Sequence, residues 1–132
     1  MAFTRETDAK LVKPLEGAIV RRYTAGSTIE AGEAVAMASD GYVDPAAASS
    51  VTLAYVLGVA LQDVLVGQRV DVVVHGPVLM GSGATVGAPI YLSDTAGEPA
   101  ETTGTVTSLI GVAESATVVF VRPQISTADF GS

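Results

Sequence analysis

A succession of turns and short strands occurs twice along this chain, and it is the feature that most limits what the chain can fold into. Each copy has a Gly turn before a short strand, then a Gly-Val-Ala strand, and then a β-branched strand that ends at a proline. The order predicts an internal duplication, in which residues 26–80 and 84–123 are the two copies. None of the repeated positions has the reactive side chains that catalysis would need. The matching segments are 32–37 and 87–92, 57–60 and 110–113, and 72–77 and 118–123.

The spacing of apolar and turn-forming residues predicts an all-β protein. Val70, Val72 and Val74 alternate with other residues and so share one face of a strand. Short strands separated by Gly, Asp and Pro are typical of a β-sandwich or a small β-barrel. We predict strands at 18–23, 34–37, 53–61, 69–75, 90–93, 106–114 and 117–122, and we expect the strongly apolar strand 53–61 to be buried.

The length of 132 residues suits a single domain. We predict an irregular N-terminal arm over residues 1–16, one β domain over 17–123 and a C-terminal tail over 124–132. The chain has no cysteine, which excludes disulfides and thiolate metal sites. The N-terminus lacks the apolar core of a signal peptide, and the uncharged run 45–62 is interrupted and shorter than a membrane span of about 20 residues. We therefore expect no membrane partner.

Charge is distributed unevenly along the chain. The formal net charge is −7, yet residues 1–22 have five basic and three acidic residues, while the remainder has two basic and eleven acidic residues. An acidic body argues against nucleic acid as a partner, because phosphate binding depends on Lys and Arg. The basic leading part can dock on an acidic protein surface, although a solvated tail is the alternative. The candidate contact residues are Phe3, Arg5, Lys10, Lys13, Arg21 and Arg22.

A search for reactive groups favours no enzyme, no cofactor and no metal. His75, the one histidine, precedes Gly76-Pro77 and has no partner motif for acid–base work. Asp94 lies in a loop similar to the Asp-Thr-Gly turn of aspartic proteases, but Ala96 is inserted and a second carboxylate would have to come from a dimer. Asp40 and Asp44 lack the dense acidic pattern of a calcium loop. We interpret these residues as structural.

The order of several short segments resembles that of the capsid decoration (cement) proteins of tailed bacteriophages. The resemblance covers residues 17–123 and lies in segments 25–35, 57–60, 66–67, 75–78, 86–91 and 110–113. It implies a small β-barrel or β-tulip-like fold without catalytic residues. It also implies a virion protein, made in the host cytoplasm, that binds the outer surface of an icosahedral head as a homotrimer and stabilises the major capsid protein lattice. No arm motif matches a family contact residue by residue.

The residues themselves also favour self-association. Hydrophobic residues make up 48% of the chain, more than a small barrel easily buries, and strand edges need a cover. Two alternatives stay open. One is a small β-clip-like module that binds a sugar or a peptide, and the other is an enzyme that uses Asp94 in a dimeric acid pair.

Overall fold

Twelve strands and one short 3-10 helix make up the part of the chain that this computed structural model describes, residues 3–50 and 52–125. The main sheet curls into a half-barrel, so the all-β, barrel-like prediction is confirmed. No helix in these ranges has both the length and the apolar character needed to cross a bilayer. The elements are β1 Thr4–Arg5, the 3-10 helix Ala9–Leu11, β2 Lys13–Pro14, β3 Ile19–Thr24, β4 Ala34–Met37, β5 Val43–Pro45, β6 Gly58–Ala60, β7 Arg69–Leu79, β8 Gly81–Ser82, β9 Pro89–Leu92, β10 Pro99–Ala100, β11 Ser108–Ala113 and β12 Val118–Ile125.

The sheet contains two units with the same strand order. From its centre, the first unit runs β7, β6, β4, β5 and the second runs β12, β11, β9, β10, with neighbours antiparallel throughout. The long strand β7 joins the units, because its last residues pair with β12 while its first residues pair with β3. In the second unit, residues 76–79 of β7 thus take the position that β3 takes in the first.

Glycine turns at equivalent positions precede β4 in the first unit and β9 in the second. Gly32 and Gly87 have φ angles of 88° and 84°, a region that side-chain-bearing residues seldom adopt. The Gly32 amide donates to the Ala60 carbonyl at 2.8 Å, and the Gly87 amide donates to the Ala113 carbonyl, also at 2.8 Å. The repeated sequence pattern therefore corresponds to repeated backbone geometry.

The sheet register changes one part of the predicted repeat alignment. The predicted alignment makes Val73 equivalent to Val119. In the structure, Val73 pairs with Val59 of β6 and Phe120 pairs with Val112 of β11, so Val73 is equivalent to Phe120. The difference is one residue, and β7 gains one residue at Val74, where its register with β3 shifts. A β-bulge of this kind cannot be read from residue spacing alone.

Strand β7 lies between two groups of buried side chains. Val70 and Val72 pack in the smaller core cluster, whereas Val73 and Val78 pack in the larger one. The predicted alternation along this strand is confirmed, because successive side chains of a strand point to opposite faces. Gly76, with φ at 118°, lets the strand continue past the predicted end at residue 75 to Leu79.

The predicted buried strand over 53–61 is shorter in the structure. Only Gly58–Ala60 of this run forms strand β6, and Leu53 and Tyr55 are 42% and 55% exposed. Gly58 is enclosed, since a Cβ there would lie 2.1 Å from the Val73 carbonyl oxygen. The apolar run thus divides into an exposed loop and a tightly packed strand.

Candidate interaction surface

The N-terminal segment, residues 3–16, lies against the domain. Strand β1 pairs with β8, where Thr4 faces Ser82, and β2 pairs with β7, where Lys13 faces Leu79. The predicted arm is therefore part of the sheet system over the residues that the structure describes. At the other end, β12 extends into the predicted tail as far as Ile125, and residues 126–132 lie outside the described residues.

Phe3 is a core residue, which corrects its assignment as a surface contact. Its side chain is 6% exposed and packs in the larger core cluster. The ring covers Gly81 so closely that a Cβ on this glycine would lie 2.3 Å from the Phe3 Cζ atom. The phenyl ring can pack here because Gly81 in β8 has no side chain, and this packing holds the N-terminal segment against the domain.

Arg5 is also turned inward, so it does not offer a surface contact in this structure. Its guanidinium donates to Glu30 Oε1, Glu98 Oε2 and the Ala31 carbonyl, each at 2.9 Å, and the side chain is 7% exposed. Glu30 precedes β4 in the first unit and Glu98 precedes β10 in the second. Arg5 therefore ties the N-terminal segment to both units.

Glu33 extends this charged cluster. Its Oε1 accepts a hydrogen bond from the Glu30 amide at 2.9 Å, and Gly97 packs directly against the carboxyl group. Burial raises the pKa of the Glu33 carboxyl, while the Glu30 amide and the Arg5 charge act in the opposite direction. One arginine thus forms ion pairs with two of three neighbouring carboxylates, and the third, Glu33, lies close enough for its charge to matter.

The other four candidate residues are exposed. Lys10, Lys13 and Arg21 take part in none of the three ion pairs found among residues 3–50 and 52–125. Arg22 donates from Nε to Asp71 Oδ1 at 2.9 Å, and this hydrogen bond lowers the pKa of the Asp71 carboxyl. We call residues 10–22 the basic strip, which has four cations against the single acid Glu16.

Apolar side chains interleave with these cations. Residues Leu11, Leu15, Ile19 and Val20 are between 39% and 54% exposed. A strip that combines exposed aliphatic and cationic side chains on an acidic body is suited to bind a partner that is apolar and acidic. Sequence reasoning had found the cations but not these aliphatic neighbours.

Strand β3 is exposed on both faces over its first four residues. Ile19 and Val20 point to opposite sides of the strand, and they are 54% and 40% exposed. In the described part of the chain, β3 pairs with β7 and with no second strand. Its outer backbone edge is therefore open, which proteins usually avoid because such an edge can pair with another chain.

A shallow apolar groove of about 510 Å³ lies beside the β4–β5 hairpin. Met37 and Leu53 are 43% and 42% exposed there, next to Tyr55, and Asp44 is the charged residue of its lining. Sequence analysis missed this groove, because it assigned residues 53–61 to a buried strand.

The residues considered for catalysis or calcium binding make local contacts. Asp94 accepts from the Thr105 amide at 2.7 Å and from its hydroxyl at 2.8 Å, and these bonds, the amide bond first, lower the pKa of the carboxyl. Asp40 accepts from the Tyr42 amide at 2.9 Å, as the predicted turn requires. His75 is exposed and its ring meets that of Phe120 edge-on, with centroids 5.2 Å apart.

Neither a search for metal sites nor a comparison with known proteins indicates a function. Across residues 3–50 and 52–125, no group of three or more His, Asp or Glu side chains is placed to hold a metal ion. A scan of protein-family models gives no match, and a search of curated proteins gives none either. The case for function therefore depends on the geometry of the exposed surface.

Proposed function

We propose that this chain is a structural virion protein that binds the outer surface of an icosahedral phage head and stabilises the major capsid protein lattice, as a homotrimer. The observation that carries the proposal is the basic strip, where exposed cations and aliphatic side chains share one segment of an otherwise acidic domain. The order of turns and strands, which resembles that of capsid decoration proteins, supports the same function.

The anchored N-terminal segment is suited to such binding. Phe3 and Arg5 fix the chain ahead of Lys10 and Lys13, and β2 holds Lys13 in register with Leu79. A partner would then meet a preorganised surface and lose little chain entropy on binding. In a trimer, three such surfaces engage the lattice together, so weak contacts add through multivalency.

The test is a sedimentation assay with undecorated, expanded heads from the same virus. Deleting residues 1–16 would also remove Phe3 from the core, so surface substitutions are preferable. Lys10→Ala with Lys13→Ala should weaken binding about 2- to 30-fold per copy, if each exposed charge contributes about 0.2–1 kcal/mol. Binding should also weaken as salt increases, because salt screens exposed charges.

The matched control is Arg69→Ala with Arg122→Ala, which also removes two exposed positive charges but lies outside the basic strip. This control should bind heads like the wild type. Equal losses in both double variants would reduce the effect to net charge, and absence of binding by the wild-type protein would refute the proposed function. Light scattering of the free protein tests the trimer.

The groove favours a second candidate, a β-clip-like module that binds a sugar or a peptide. Its volume of about 510 Å³ lies within the range of about 300–1,000 Å³ typical of ligand sites. Most of its lining surface is apolar, which suits an apolar peptide side chain better than a sugar. Saturable binding of a small ligand that Leu53→Asp abolishes, by a monomeric protein, would favour this candidate.

A further inference from the structure

The two units of the sheet differ in how one equivalent edge is covered. In the second unit, residues Val78 and Leu79 of β7 pair with β12 on one edge and with β2 on the other. In the first unit, the equivalent strand is β3, where Arg21 and Arg22 pair with β7 on one edge. Within the described ranges, nothing pairs with the other edge of β3.

The equivalence follows from the register of the sheet. Val72 of β7 pairs with Arg21 of β3 and Ala60 of β6, just as Val119 of β12 pairs with Val78 of β7 and Ala113 of β11. Arg21 thus corresponds to Val78, and Arg22 corresponds to Leu79. The outer edge at these two arginines is the place where, in the second unit, β2 adds an antiparallel strand.

We propose that an extended segment of the major capsid protein adds to the outer edge of β3 as an antiparallel strand, and that this segment is acidic and apolar. The proposal rests on the proposed function for the identity of the partner. Strand addition is a common way for an open sheet edge to bind a peptide, with backbone bonds supplying affinity and side chains supplying specificity.

The side chains of β3 select the chemistry of the segment. Arg21 is exposed and forms none of the ion pairs made by the described residues, so it is free to meet a carboxylate. Ile19 and Val20 expose one aliphatic side chain on each face, which a flanking strand with apolar residues would cover. A second copy of β3 fits less well, because antiparallel pairing of two such edges would bring arginines together.

Hydrogen exchange on head-bound protein tests the proposal. In a strand with one paired edge, alternate amides are hydrogen-bonded and the others face outward. The outward-facing amides of β3 should exchange fast in the free protein and become protected on undecorated expanded heads. Arg21→Glu should reduce this protection and weaken binding, whereas the control Arg122→Glu, at an exposed cation on β12 outside the strip, should leave both unchanged.

Each outcome decides between the possibilities. If the protein binds to heads while its β3 amides exchange as in the free protein, strand addition is wrong and the proposed function is retained. Protection of the same amides at high protein concentration without heads would assign the edge to a second copy and overturn the proposal. If no heads bind, both the proposed function and this partner are wrong.

Discussion

Replacement of Gly81 by alanine should release the N-terminal segment while the rest of the domain stays folded. The added Cβ would lie 2.3 Å from the Phe3 Cζ atom and 2.5 Å from the Thr4 carbonyl oxygen. Rotation of the ring cannot relieve the second contact, because it involves the backbone. Separation of β1 from β8 does relieve it, so we expect the domain to respond in this way.

The magnitude follows from what the segment loses on release. Burial of the Phe3 side chain, which is 6% exposed, is worth about 1.5–3 kcal/mol. If the substitution cancels this amount, the opening equilibrium of the segment increases about 10- to 150-fold. The Glu6 amide reports on it directly, since it donates to the Met80 carbonyl at 2.8 Å across the two segments.

Hydrogen exchange followed by NMR gives the readout. Exchange of the Glu6 amide should accelerate by that factor in Gly81→Ala, while the Val64 amide, bonded to the Ile29 carbonyl in the first unit, should keep its protection. Gly87→Ala is the control, because Gly87 has positive φ but no atom within 4 Å of the added Cβ. Unchanged exchange at Glu6 in Gly81→Ala would refute the view that Phe3 anchors the segment.

Three further substitutions test other parts of the structure. Gly111→Ala would place a Cβ 2.0 Å from the Phe120 carbonyl oxygen, and we expect urea unfolding to show a loss of about 3 kcal/mol. Because the folded-state pKa of Glu33 is raised, its contribution is present below the ordinary value of 4.5 and is lost as pH rises through the folded-state pKa. Relative to Glu33→Gln, the wild type should therefore gain thermal stability as pH falls from 7 towards 4.5. The folded-state pKa of Asp71 is lowered, so its stabilising contribution is present above the ordinary value of 3.8 and is lost as pH falls through the folded-state pKa. Arg22→Ala should lose less stability than the wild type on this acidification, measured as the shift in melting temperature.

Local signals in the sequence were sufficient for the strand pattern. A glycine two residues before a short apolar strand marks the same turn at Gly32 and Gly87, where the structure has positive φ, and alternating valines mark β7. The prediction of a buried strand over 53–61 was wrong for the first half of that run, because hydrophobicity does not distinguish a buried strand from an exposed loop that lines a groove.

The anchoring of the N-terminal segment could not be predicted from the sequence. Arg5 and Glu98 are 93 residues apart, and Phe3 needs a bare glycine at position 81. Neither contact leaves a local pattern, so all basic residues near the N-terminus seemed equally available. The structure divides them into the internal Arg5 and the exposed Lys10, Lys13, Arg21 and Arg22.

The two units differ in how their equivalent outer edges are covered. The edge of β7 is paired with β2 of the N-terminal segment, whereas the edge of β3 has no partner among the described residues. Strand β2 covers the outer edge of β7 at Val78 and Leu79, and the residue before it, Val12, is buried in the larger core cluster. Removal of β2 would expose this second edge, with aliphatic instead of basic side chains. Such an edge lacks the charges that discourage edge-to-edge pairing. The N-terminal segment therefore closes the edge most prone to self-pairing and leaves open the one whose arginines favour an acidic partner.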